Sequence, residues 1–244
     1  MTKDIIAFWG YPEKNITDKT KLEHPDALWI DLDINYNYPD LKLIPENYCV
    51  IIKNIVNNAF CLKDRIIKIL APIGKDKCDS AYFISEILTL EGFDIVQTVF
   101  EDKCKDYNSL KLPISTSNLP LRKKVELITG NIIDRKDYQN LEKCTPAFGF
   151  WGVPPNDLSI LELFPDNTEV FGWIRAVEAG YPGDFNIETY VKKDLPTIFF
   201  TQAFCSKTAL AKYLANKYEG LFIDIDAVPN NSTKAKIEAF LKLR

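Results

Sequence analysis

Two cysteines carry the sharpest chemical pattern in the chain. Ala59-Phe60-Cys61-x-Lys63 recurs as Ala203-Phe204-Cys205-x-Lys207, and between 59–71 and 203–215 seven of thirteen positions are identical. A thiol at a helix N-terminus has a lowered pKa and becomes a better nucleophile or base. Two such thiols in equivalent positions would suit a two-base proton transfer, so Cys61 and Cys205 are the candidate catalytic residues. Around Cys205, the run from Thr201 to Thr208 has the spacing of a phosphate-binding loop, with Lys207 and Thr208 in place. Thr201 and Ser206 replace its two glycines. The glycines let backbone N–H groups curl toward phosphates. Their loss argues against a nucleoside triphosphate and leaves a simpler anion at the opening of a helix.

Other groups could bind a ligand without reacting. Arg175 and Glu178 flank the run that leads to Gly180-Tyr181-Pro182-Gly183-Asp184, and an arginine beside aromatics can hold a carboxylate or phosphate. Trp9-Gly10 and Trp151-Gly152 end apolar runs, and Lys63 and Lys207 follow the paired cysteines. These residues, with Thr208, form the candidate ligand-binding set. Asp31-Leu-Asp33 and Asp224-Ile-Asp226 close apolar segments and offer carboxylates that can hold a cation or cap a helix. The six cysteines form no C-x-x-C pair and the chain has one histidine, so no zinc site is expected and no cofactor is indicated.

The elements that must position these residues alternate. Runs at 5–9, 27–34, 49–55 and 93–99 read as strands, and 79–91 reads as a helix with an apolar face and a stop at Gly92. Residues 101–146 are polar and irregular, with one or two helices expected across 119–143. Strands are expected again at 147–151, 169–177, 197–202 and 221–226, with helices at 157–164, 205–218 and 232–243. The expected organisation is a first α/β lobe at 1–100, a helical connector at 101–146 and a second α/β lobe at 147–244.

Four blocks recur in order, displaced by roughly 140 residues. Phe8-Trp9-Gly10-Tyr11-Pro12 pairs with Phe150-Trp151-Gly152-Val153-Pro154, Pro25-Asp26 with Pro165-Asp166, Trp29-Ile30 with Trp173-Ile174, and the cysteine blocks with each other. The fold class is therefore α/β: two tandem Rossmann-like lobes, each a doubly wound and mainly parallel sheet, related by internal duplication. One alternative stays open, because Glu91-Gly92 also resembles Glu219-Gly220, which would make Cys78 rather than Cys61 the counterpart of Cys205. Ligands of open α/β sheets sit at the carboxyl ends of strands, and a cleft shared by two lobes is the expected site. This arrangement is similar in architecture and length to the aspartate/glutamate racemases. Their threonine directly after the cysteine, or one further on, is not matched by Leu62 and Ser206 here.

Length and charge limit the remaining classes. The 244 residues are 46% hydrophobic and carry a net charge of −4, the profile of a globular chain without a dense basic stripe. Duplex binding rests on neutralising phosphates with Lys and Arg, so no nucleic-acid partner is expected. No apolar run approaches the roughly 20 residues of a membrane span. Residues 1–20 lack an apolar export segment, so a cytoplasmic protein with reduced thiols is expected. The leading expectation is a small anionic ligand bound without established catalysis. A cysteine-dependent racemase or isomerase and a non-catalytic assembly or maturation factor are the alternatives.

Overall fold

A computed structural model describes residues 3–244. The chain divides into two compact units, Met1–Glu101 and Asp102–Arg244. Each holds a four-stranded, all-parallel sheet with interleaved helices, so the fold is α/β.

In the first unit the elements run β1 (Ile5–Phe8), α1 (Lys14–Glu23), β2 (Leu28–Asp31), α2 (Val50–Cys61), β3 (Ile66–Ile73), α3 (Asp79–Leu90) and β4 (Ile95–Val99). The strand order is β2-β1-β3-β4. The chain moves outward from β1 to β2, then returns past β1 to β3, so the direction of winding reverses between β1 and β3. Ile5, Ala7, Trp9, Ile69 and Ala71 pack against Ile52, Ile55, Val56 and Ala59 of α2 and Ala81, Ile84 and Leu88 of α3. Each large apolar side chain buried this way contributes roughly 1.5–3 kcal/mol.

Residues 50–61 overturn a reading. The run at 49–55 is not a strand but the start of α2, and the strand lies later, at Ile66–Ile73. The buried positions Ile52, Ile55, Val56 and Ala59 fall at i, i+3, i+4 and i+7, which is helical spacing. A short apolar run fits either period, and here the helical one continues past it. The polar stripe of α2 has its own task. Asn54 donates to the Asp33 carbonyl, Asn58 to the carbonyls of Leu32 and Ile34, and Asn57 to that of Pro39. These bonds hold the irregular stretch that follows β2.

In the second unit the order is α4 (Leu121–Gly130), β5 (Phe148–Gly152), a 3-10 segment (Leu158–Leu163), β6 (Thr168–Phe171), α5 (Trp173–Glu178), α6 (Phe185–Thr189), β7 (Thr197–Gln202), α7 (Thr208–Lys217), β8 (Leu221–Ile225) and α8 (Asn231–Leu243). Its sheet order, β6-β5-β7-β8, repeats that of the first. All six residues of β7 are buried, as a central parallel strand covered on both faces requires. Trp151, Phe171 and Phe199 pack on Ala211, Leu214 and Ala215 of α7.

The run at 169–177 is not one strand. Gly172 breaks it with φ 75° and ψ −150°, and Trp173 opens α5. A Cβ at Gly172 would fall 2.7 Å from the Gly152 backbone nitrogen, so only glycine allows this turn. Residues 102–147 belong to the second unit rather than standing apart. The Ser115 carbonyl accepts from the Val170 N–H, and the fully buried Lys124 donates to the carbonyls of Asp166 and Thr168. Among the described residues, no helix is long and apolar enough to cross a membrane.

Candidate functional site

The strand ends fix where chemistry can occur. In the first sheet, Gly10 follows β1, Asp31 and Asp33 follow or end β2, and Lys77 lies between β3 and α3. The Asp33 carboxylate accepts the Gly10 N–H at 2.7 Å and the Lys77 ammonium at 2.8 and 3.0 Å. The Asp33 N–H in turn donates to Asp31 Oδ1 at 2.9 Å. Gly10 has φ +56°, and a Cβ there would meet Lys77 Cε at 2.3 Å, so the cradle needs glycine. Burial works to lower the Lys77 pKa, but Asp33 and Asp31 more than reverse it, and the net shift is upward. Burial and the neighbouring Asp33 push the Asp31 carboxyl well above its ordinary range. Burial, with Asp31 nearby, also pushes the Tyr36 hydroxyl up to about 12. Asp33 is the counter-ion of Lys77, while burial favours the protonated form of Asp31.

The second sheet places its own lysine at the corresponding edge. Lys207 immediately precedes α7, and its ammonium lies 2.5 Å from Glu188 Oε2. The Glu188 carbonyl accepts the Trp151 indole N–H at 2.6 Å, which ties α6 to the end of β5. Thr208 Oγ1 donates to Thr201 Oγ1 at 3.3 Å. Burial raises the Glu188 pKa against the pull of Lys207. Elsewhere, where Glu169 of β6 is in register with Gly149 and Gly149 with the first residue of β7, Arg175 donates to Glu169 at 3.0 Å, and Lys192 donates to the same carboxylate. Arg175 also lies over the rings of Phe171 and Tyr190, at 5.5 and 5.0 Å. Glu169 thus pairs with two cations and Glu188 with one, and the buried Asp184 adds a further negative charge beside Glu188.

Lys77 and Lys207 occupy the same topological position. Each follows the third strand of its sheet, precedes the next helix and is neutralised by a carboxylate from an earlier element. Sequence reasoning missed Lys77 and Glu188. The open alternative at Cys78 and Glu91-Gly92 was the signal that pointed to Lys77. By strand order, the segment before α3 matches the segment before α7.

Several candidate residues stand elsewhere. Cys61 is exposed and closes α2, so it lies at a helix C-terminus and not at the N-terminus that the thiol mechanism requires. The identity between 59–71 and 203–215 therefore joins a helix end to a loop that opens a helix, and the two segments are not structural equivalents. Cys205 lies in that loop, partly buried. Lys63 donates to the Glu91 carbonyl and lies over the rings of Phe60 and Phe93. Trp9 and Trp151 are fully buried, so they are core rather than site wall, and the Trp9 indole donates to the Pro72 carbonyl. Gly152 is buried at the end of β5, where a Cβ would strike the Phe200 carbonyl at 2.5 Å. Glu178 is a structural clamp. It accepts the N–H groups of Ile114 and Ser115 and the Ser115 hydroxyl, and burial raises its pKa against those bonds. Trp29 lies within β2 while Trp173 opens α5, so that block does not align either. The Trp-Gly and Pro-Asp blocks do hold equivalent places, at the end of the first strand and just before the second.

A groove of about 320 Å³ opens between α4 and the 3-10 segment, but its Arg122 is already bound by Glu126 and Glu162. Comparison with known protein families and with curated proteins gives no match.

Proposed function

We propose that this protein binds a small anionic ligand at the carboxyl edge of its second sheet. Lys207 and Thr208 make the contacts, and the buried Thr201 accepts the Thr208 hydroxyl. The observation that carries the reading is the placing of Lys207: it stands between the end of β7 and the start of α7, its side chain is 20% exposed, and its partner is the buried Glu188. Glu188 is a displaceable counter-ion, because burial already favours its protonated form. As a ligand anion reaches Lys207, Glu188 takes up a proton and releases the ammonium. We infer further that the two lobes are Rossmann-like units descended from one duplicated ancestor, and that the protein works in the cytoplasm with its thiols reduced.

The test is calorimetric titration with inorganic phosphate and with citrate at pH 6 and pH 8. The expected result is binding that is tighter at pH 6, with uptake of up to one proton, and that is lost in Lys207→Met while the fold persists. Absence of binding in the unaltered protein, or equal binding in Lys207→Met, overturns the reading. The paired-thiol alternative lacks its premise at Cys61, which stands at the wrong end of its helix.

A further inference from the structure

Helix α3 has two apolar faces, and its lobe covers one. Ala81, Ile84 and Leu88 are buried in the core. Turned away from them, Phe83, Ile87 and Leu90 form a second stripe at i, i+4 and i+7, with exposures of 62, 42 and 87%. Tyr82, 43% exposed, packs edge-on against Phe83 with ring centroids 5.3 Å apart. A helix apolar on both faces is normally buried on both. These four side chains expose on the order of 500 Å², within the range where a contiguous apolar patch marks an interaction site.

Charge selects the occupant. Residues 79–94 carry Asp79, Glu86, Glu91 and Asp94 and neither lysine nor arginine. On a helical projection Asp79 and Glu86 border the stripe. Glu86 is held outward by the Gln97 amide at 2.6 Å. Lys63 reaches the last turn, where it donates to the Glu91 carbonyl and lies over Phe60 and Phe93. An anionic membrane surface would be repelled by such a border. A second copy of the same face would bring like charges together, and the patch is below the roughly 800 Å² per partner of a stable interface. It is the size of one face of a single helix.

We propose that the outer face of α3 is the docking surface for a basic amphipathic helix of another protein. The partner's apolar residues at i, i+3, i+4 and i+7 lie on Phe83, Ile87 and Leu90, and its lysines or arginines meet Asp79 and Glu86. The proposal does not depend on the anion site of the second sheet.

The probe is a fluorescent 18-residue Leu/Lys peptide with helical amphipathic spacing, compared with a scrambled peptide of equal composition and with a Leu/Glu version. Fluorescence anisotropy with the full chain is expected to show saturable binding of the Leu/Lys helix that weakens several-fold as salt rises from 50 to 300 mM. The scrambled and acidic peptides bind at least tenfold more weakly. The double variant Phe83→Asp, Leu90→Asp loses at least tenfold in affinity with an unchanged circular dichroism spectrum, since both positions are exposed. Asp79→Asn with Glu86→Gln loses affinity and most of the salt dependence. Equal binding of the three peptides, or unchanged binding by the Asp variants, overturns the proposal. So does sedimentation showing a dimer that Phe83→Asp dissociates, which would assign the face to a second copy.

Discussion

Asp33→Ala gives the sharpest test of how the first sheet's carboxyl edge is held. The Asp33 carboxylate receives three bonds, one from the Gly10 N–H and two from the Lys77 ammonium. The two side chains are 18 and 13% exposed. Removing one partner of a fully buried pair costs about 3–5 kcal/mol, since the other charge is left uncompensated. Here some solvent remains, and Asp31 stands near enough to Lys77 to take over part of the role. The expected cost is therefore lower, about 2 kcal/mol. Asp33→Asn keeps an acceptor for Gly10 and should cost about 1 kcal/mol. Lys77→Met should cost no more than Asp33→Ala, because the Asp33 carboxylate it leaves unpaired keeps the Gly10 N–H. Hydrogen exchange read by mass spectrometry isolates the effect. About 2 kcal/mol corresponds to roughly 30-fold faster exchange of the peptides spanning 5–33. A double-mutant cycle of Asp33→Ala with Lys77→Met should return a coupling of at least about 1 kcal/mol. Acceleration below about threefold, or equal acceleration in 148–225, would refute the reasoning.

Three other outcomes are expected. Gly172→Ala should cost at least about 3 kcal/mol in urea unfolding, because φ 75° with ψ −150° is open only to glycine and the new Cβ meets the Gly152 backbone at 2.7 Å. Glu178→Gln should destabilise near pH 7 by about 1–3 kcal/mol, since an amide cannot accept all three donors. The Glu178 pKa is raised by burial, so this carboxyl group favours the folded state most below its ordinary value of 4.5. That contribution is lost as pH rises through the raised value, and a Tm series from pH 4 to pH 8 should show a flatter profile in Glu178→Gln than in the unaltered protein. In the native protein Cys61 should react with a thiol reagent at the rate of an ordinary exposed cysteine, whereas the buried Cys104 reacts only after unfolding; rapid Cys61 labelling below pH 7 would revive the paired-thiol mechanism.

Alternating elements, the strand at Ile5–Phe8, the strand pair at Thr197–Gln202 and Leu221–Ile225, and the helices α3, α7 and α8 all follow from local pattern. At Ile5–Phe8 and Thr197–Gln202 the continuous apolar run is a buried parallel strand, as the sequence pattern leads one to expect. The Trp-Gly and Pro-Asp blocks correctly mark equivalent strand ends because both are punctuation tied to local backbone geometry. The α2 and β3 positions were not decided locally, because Val50-Ile51-Ile52 fits either period until its neighbours are packed. Nor was the end of β6, where Gly172 turns the chain within a run that reads as continuous. Ion partners were the least accessible. Lys77 finds Asp33 across 44 residues because parallel strands bring their carboxyl ends to one edge, and Lys207 finds Glu188 across 19 because α6 is tied to the end of β5. Residue types and spacing determined which groups could carry charge. The tertiary structure decided which were neutralised, since burial leaves a charge stable only where folding supplies its counterpart.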